Sequence, residues 1–429
     1  MLTVDKDKIS QHTIGLRLIR RFGETPIVYD IETNVTVVSV SQALSMKSMF
    51  LKMLFQDGSG LIENGMITLG DIVEFTLYRD EDDDMKIIRE FRIIDISGGK
   101  QTDNTKMTQF AIHAVTEPSF INRASRLSAS FSGQVSASVQ RIFRDVLKIK
   151  YNKLDIEPTK NATTIIFNKA TPFEILSEFE ERAISYNGSI KDNLYFCFET
   201  PESMVFSSVR RLVKKGYKFV YNQFPSNLPT EDENDYFRIQ HFEQPNFANS
   251  KDLVDNGVLE NEVVLFDVLN RQISSYDFVF EEDKKDILLL GKHPYSDYKS
   301  LSDQFAGFTK PKSTFDSKIN VSIFPSEESF ERIEWRDKKH SAAKAQLEML
   351  RQNKITLKII GNHEMMAGDV VKLIVPAKYL TNNEEETEDK LYSGEYLVAA
   401  VRHDLAVGTN FFTIVDLYKD ALELKVENL

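Results

Sequence analysis

Apolar and polar side chains alternate along Val73-Glu-Phe-Thr-Leu77, so one face of an extended strand meets a core while Glu74 and Thr76 point the other way. From Ile27 to about Val115 the chain repeats such short β-branched or aromatic runs between turn residues, with no helical stripe longer than Ala43 to Leu54. Asp57-Gly58-Ser59-Gly60 tolerates positive φ and closes a hairpin or loop ahead of the Val73 strand. The pattern predicts a small β-barrel or sandwich over residues 1–117.

After Pro118 the period changes. Val135, Val139, Ile142, Phe143, Val146 and Leu147 recur at intervals of three and four, as one side of a helix requires. A second helix starts at Thr171-Pro-Phe-Glu174, where Thr171 caps the free amides, Pro172 suits the first turn and Glu174 reaches back as a capping box. Ile175, Leu176, Phe179 and Ala183 form its buried stripe, Asn187-Gly188 stops it, and Leu194 to Phe198 reads as a strand too apolar on both faces for a solvated edge. This is an inserted α/β domain over 118–237. The Pro, Asn, Asp and Glu of Ser226 to Asn256 predict a loop or crossing between domains. Val263 to Leu269 and Ile273 to Phe280 read as strands, and 281–338 as an irregular insertion. Ala343, Leu347 and Leu350 restore a helical stripe before a final strand-rich block, Ile355 to Leu417. The second barrel is placed at 238–280 plus 339–429, giving an α+β, predominantly β chain.

That last block repeats the first. Gly70-Asp-Ile-Val-Glu74 and Gly368-Asp-Val-Val-Lys372 match in type, and each opens an apolar strand that runs into an acidic loop. The loops are Asp80, Glu81, Asp82, Asp83 and Asp84 in one copy, and Glu384, Glu385, Glu386, Glu388 and Asp389 in the other. Phe91 to Ile96 and Tyr396 to Val401 follow, then Phe110 to Val115 and Phe412 to Leu417. The copies differ mainly in loop length, where insertions are tolerated. Dense like charge repels within a screening length of about 8 Å, so these loops belong on exposed rims, as possible interface loops, rather than in a packed core.

Length and composition narrow the picture. A chain of 429 residues with 41% hydrophobic and 28% charged side chains has the balance of a folded protein of two to four units. Its net charge of -12, with no basic cluster, opposes sequence-independent nucleic-acid binding. The single cysteine, Cys197, excludes an intrachain disulfide and a multi-cysteine zinc site, which favours assembly in a reducing cytoplasm. The first ten residues lack the apolar segment of a secretory signal, and no run is long enough to span a bilayer, so a soluble chain without membrane contact is expected.

Motifs that would carry chemistry fail one by one. His363-Glu364 lacks the second histidine of the zinc-protease helix, because position 367 is alanine, and the turn predicts an exposed loop histidine. His12, His113, His241, His293, His340 and His403 show no ligand spacing. The acidic run at 80–84 lacks the glycine and distant glutamate of an EF-hand. Glu178, Glu180 and Glu181 lie along one helix and read as its polar face rather than as the paired acid and base of a glycosidase. No cofactor, metal site or catalytic residue is expected, and the chain is not expected to be an enzyme.

The order of Asp57-Gly58 to Phe75, Phe120 to Leu147, Thr171 to Leu176, Tyr195 to Phe198, Ala343 to Gln352, Ile359-Ile-Gly-Asn362, Gly368-Asp369, Ser393-Gly-Glu-Tyr396, His403 and Phe412 resembles the baseplate hub protein of contractile-tailed phages and the hub part of VgrG-type spikes. The resemblance implies a homotrimer in which two barrel-like tube domains per chain form a ring with near six-fold symmetry, and the α/β part decorates the outside. Two quasi-equivalent barrels in each of three chains would present six similar units, adapting a six-fold tail tube to a three-fold spike. The implied partners are the chain itself, a central spike protein, a tail tube protein and other baseplate proteins, with DNA only passing through the lumen. The implied location is the virion tail. The competing readings are a carbohydrate- or receptor-binding tail module, the hub part of a secretion-system spike, and a cell-wall hydrolase.

Overall fold

Strict alternation of buried and half-exposed side chains builds the first block of strands in the computed structural model, which describes residues 13–20, 26–78, 86–101, 107–187, 189–223, 237–247, 260–267, 272–291, 293–294, 327–376, 388–389, 391–406 and 410–422. The strands are β1 (Thr13–Arg20), β2 (Ile27–Asp30), β3 (Val35–Ala43), β4 (Phe50–Asp57), β5 (Ile72–Tyr78), β6 (Ile87–Gln101) and β7 (Thr108–Thr116). They pair in the order β2-β1-β5-β6-β7-β4-β3, all antiparallel. Val73, Phe75 and Leu77 face the core as the sequence predicts, and Phe75 meets Phe91 edge to face at 6.5 Å. The interval from Ala43 to Leu54 is not helical. Leu51 and Met53 are buried either side of exposed Lys52, so a period of two overrides the helical spacing and makes β4. The turn after β4 is organised by the buried carboxylate of Asp57, which accepts the amides of Ser59, Leu61 and Ile62 at 3.1, 2.9 and 2.8 Å.

The α/β part follows as α1 (Glu117–Ala124), β8 (Leu127–Gln134), α2 (Val135–Arg141) with a π-helical turn at Ile142–Val146, β9 (Leu154–Ile156), β10 (Ala162–Ala170), α3 (Pro172–Arg182), β11 (Tyr195–Glu199), β12 (Met204–Ser208) and α4 (Val209–Lys214). The predicted stripe of α2 packs on Ile175, Leu176 and Phe179 of α3 in one core cluster. The capping box at Thr171 forms as expected: Thr171 accepts the Glu174 amide at 3.3 Å, and Glu174 accepts the Thr171 amide at 2.7 Å. The helix ends at Arg182 rather than at Asn187. Asn161 takes over its end, donating to the Arg182 carbonyl at 2.7 Å and accepting the Ile184 amide at 2.9 Å. Strand β11 lies at the edge of its three-stranded sheet yet is buried, because the Glu180 carboxylate accepts the Cys197 amide at 2.6 Å.

The remainder contains β13 (Tyr217–Asn222), β14 (Ile239–Phe247), β15 (Glu260–Asp267), β16 (Gln272–Val279), α5 (Phe280–Asp283), β17 (His293–Pro294), α6 (Glu327–Arg351), β18 (Asn353–Ile360), β19 (Val370–Ile374), β20 (Gly394–Ala406), β21 (Asn410–Lys419) and β22 (Ala421–Leu422). The order β14-β18-β21-β20 continues through β3 into the first block, and β19 and β13 attach to β20, so both blocks share one 13-stranded sheet rather than standing apart. Three expectations change here. The stretch from Ser226 to Asn256 is not all loop, since it holds β14; its Pro245 falls where the register shifts between Glu243 and Asn246, a place that tolerates a missing amide. Among the described residues β15 and β16 pair only with each other. The irregular insertion stops short of 338, because α6 starts at Glu327. That helix presents two neighbouring stripes: Ala343, Leu347 and Leu350 pack with Phe198, Leu212 and Leu397, while Ala342, Ala345 and Met349 pack with Phe278 and Phe280.

Candidate assembly interface

The repeat extends to individual hydrogen bonds. Gly70 at φ +90° donates to the Ile93 carbonyl at 2.9 Å, and Ile93 returns a bond to the Asp71 carbonyl at 2.8 Å. Gly368 at φ +88° donates to Val398 at 2.9 Å, and Val398 returns a bond to Asp369 at 2.8 Å. Glycine is required at both positions because they lie in the left-handed region. Immediately afterwards β6 shifts register against β7 between Ile93 and Asp95, and β20 shifts against β21 between Val398 and Ala400. The outer strands match as well: β3 shifts between Val35 and Val37 opposite Phe55 and Leu54, and β14 between Ile239 and His241 opposite Ile359 and Lys358. A slip of one residue turns every side chain to the other face, so these shared bulges align the copies, while the shifts between Gly98 and Lys100 and between Glu243 and Asn246 have no counterpart in the other copy. In space and along the chain, β3, β4, β5, β6 and β7 correspond to β14, β18, β19, β20 and β21. The copies diverge at the flank, where β1 is antiparallel to β5 and β13 is parallel to β19.

One joint holds the copies together. The second half of β20 pairs antiparallel with β3, from Ala400 opposite Ala43 to Ala406 opposite Val37. Ser39 donates to Asp404 at 2.7 Å, Arg402 pairs with the same carboxylate at 3.0 Å, and the Leu44 amide reaches the Ala399 carbonyl at 2.8 Å. His403 is buried beneath the joint with Nδ1 3.1 Å from the Thr413 hydroxyl. Among the described residues the corresponding sides, β6 of the first copy and β14 of the second, carry no further strand. Strand β14 ends the sheet, and past the end of β5 the second half of β6 has β7 as its one described partner. Asp95, Ser97, Gly98 and Gly99 on β6 are exposed, as are His241, Glu243 and Pro245 on β14.

Buried charges rivet the α/β part to the sheet. Glu199 accepts the Met49 amide at 3.0 Å and the Thr116 hydroxyl, while Arg89 donates to the Thr200 carbonyl at 2.6 Å. Burial pushes the Glu199 carboxyl above its ordinary range, against the opposing pull of Arg89. Glu180, raised by the same cause, pairs with Lys47 at 2.9 Å. The Lys339 ammonium on α6 donates to the carbonyls of Glu180 and Glu181 at 2.8 and 2.7 Å, and its burial drives its pKa well below the usual lysine range. Three carbonyl and carboxylate groups at the end of α3 thus meet two lysines. Glu180, read from the sequence as part of a polar helix face, is thus half-buried and paired: its partners Lys47, the Cys197 amide on β11 and Lys339 on α6 come from elements that no local pattern on α3 reveals. Cys197 is fully buried beside it, and burial raises its thiol pKa.

The acidic run at 80–84 and Glu384, Glu385 and Glu386 lie outside the described residues. Glu388 is exposed and bridges to Pro376, whereas Asp389 closes a turn, its carboxylate accepting the amides of Leu391 and Tyr392 at 2.9 and 3.3 Å. His363 is 1% exposed, not the exposed loop histidine its turn predicts. The turn is packed inward: Asn362 donates to the Tyr221 hydroxyl at 3.0 Å, and its amide donates to Thr413 at 2.8 Å. Among the described residues no group of histidine, cysteine and carboxylate side chains is placed to hold a metal ion, and no helix is long and apolar enough to cross a membrane.

No protein-family model matches the sequence, and no curated protein matches it. Solved structures do. A 43 kDa tail protein of prophage MuSo2 from Shewanella oneidensis aligns over 96% of this chain and 100% of its own, with a TM-score of 0.57 at 9% identity. The fold is that of a phage tail protein. A tail protein from Neisseria meningitidis MC58 agrees, covering 95% of this chain and 97% of its own with a TM-score of 0.51 at 10% identity. The resemblance read from the sequence, to baseplate hub proteins, holds at the level of fold.

Proposed function

We propose that the chain is a structural component of a phage tail baseplate, the hub at which a tail tube meets a central spike. In this reading it acts as a homotrimer. Its duplicated sheet units give each chain two barrel-like tube segments, and three chains form a ring of six similar units around a lumen through which DNA passes. The α/β part lies outside the ring, and the neighbours are spike, tube and other baseplate proteins. The chain carries no catalytic activity of its own and resides in the virion.

The observation that supports this most is the joint between β20 and β3: two copies of one unit sit edge to edge in a continuous sheet, with no strand on the matching edges of β6 and β14 among the described residues. A ring needs that arrangement, because each unit must offer one edge and receive another. Electron micrographs of the purified protein test the reading. Rings with a central opening and three-fold symmetry are expected; solitary particles together with release of fragments from purified peptidoglycan would replace the scaffold with a hydrolase.

A further inference from the structure

We propose that the open side of β14 in one chain pairs antiparallel with the second half of β6 in a second copy, in the register that β3 and β20 use within the chain. The inference rests on the reading that the chain assembles with itself, and it specifies the surface and the alignment.

The alignment follows from the two sets of ladders. Ala114 and Leu417 are the residues opposite Ile93 and Val398, where both copies shift register, and they face Leu51 and Ile355 on the next strands. Counting outward, Phe50 corresponds to Lys354, so Ser41 opposite Phe50 corresponds to Asn246 opposite Lys354. On the other side Arg402 opposite Ile414 corresponds to Ser97 opposite Ala111. Within the chain Arg402 faces Ser41 and Val401 faces Gln42. Between chains Ser97 therefore faces Asn246 of the second copy, and Ile96 faces Phe247 of the second copy.

Each edge has the form that takes up one short strand. Exposed strand edges carry unpaired amides and carbonyls, a template for another strand. Gly98 and Gly99, at φ +110° and +94°, break the register of β6 against β7 and bend it away, and Pro245 interrupts β14. Each edge thus presents only a short segment, which selects one register and disfavours indefinite sliding. The contact is head to tail, so every chain that receives a neighbour at β6 still offers its β14, and the series closes into a ring if the rotation permits.

Disulfide trapping tests the register. The two cysteines are placed on different chains, so a bond between them joins two copies. Cys197 is fully buried and does not compete. Two singly substituted proteins, Ser97→Cys and Asn246→Cys, are mixed and oxidised, with light scattering on the same samples. A covalent dimer is expected at about tenfold the yield of a mixture of Ser97→Cys with His241→Cys, which lies four ladder positions from Asn246 because of the bulge, roughly 13 Å away and beyond disulfide reach. An oligomer by mass with equal or no trapping overturns the register while leaving self-assembly standing. A monomer at every concentration overturns both.

Discussion

Alanine at Gly368 and at Gly70 should cost different amounts, although the two glycines occupy equivalent places in the repeat. Both lie near φ +90°, where an L residue is strained by roughly 1–2 kcal/mol. At Gly70 nothing lies within 4 Å of the added Cβ, so the strain is the whole cost. At Gly368 the Cβ would sit 2.8 Å from the Phe198 ring, 3.3 Å from a second ring carbon and 3.5 Å from Leu212. Phe198 on β11 is 1% exposed and packed among Leu212 of α4, Leu350 of α6 and Leu397 of β20, so the ring cannot swing clear and overpacking adds about 1–3 kcal/mol. Gly368→Ala should therefore lose about 2–5 kcal/mol against about 1–2 for Gly70→Ala, read from urea unfolding followed by circular dichroism. Adding Phe198→Leu to Gly368→Ala should recover part of the loss, giving a favourable coupling of about 1–3 kcal/mol in a double-mutant cycle. Equal costs at the two glycines, or a strictly additive double variant, would refute the packing argument and detach the α/β part from the second copy.

Other outcomes follow from single groups. Thr171→Ala removes one half of the capping box and should lower stability by about 1 kcal/mol, with loss of amide protection confined at first to the start of α3. Asp57→Ala strips three amides of their shared acceptor and should cost at least about 2 kcal/mol in the same unfolding assay, whereas Asp57→Asn should cost less. Burial raises the Asp420 carboxyl from 3.8 to about 7, above its unfolded value, so its stabilising protonated form is fully present below pH 3.8 and lost as pH rises through 7. Asp420→Asn, which can still accept the Leu290 amide, should gain on the parent by up to a few kcal/mol between pH 4 and pH 7; parallel stability curves for the two proteins would contradict this.

Much of this architecture is legible in the sequence wherever one element decides its own form. The Gly-Asp pairs mark both copies because positive φ forces the same residue at the same turn, and the Thr171 box is a contiguous signal. Strand β14 escapes because Pro245 and the polar residues of an open edge look like loop, the composition that an edge awaiting a partner would show. Half-buried Glu180 and buried His363 and Lys339 escape for another reason: each is covered or paired by an element distant in sequence, and no local period records what will meet a side chain. The joint between β3 and β20 is of the same kind, since Ser39 and Asp404 carry no mark of being neighbours.

Light scattering on the purified chain tests the central claim most directly, because a sheet unit duplicated within the chain matters for a ring only if chains associate. The account predicts a particle of three chains, retained in Asp420→Asn and diminished when charge is placed on the β6 edge by Ser97→Glu. A particle of one chain at every concentration, in the presence of tail tube and spike proteins as well as alone, would contradict it.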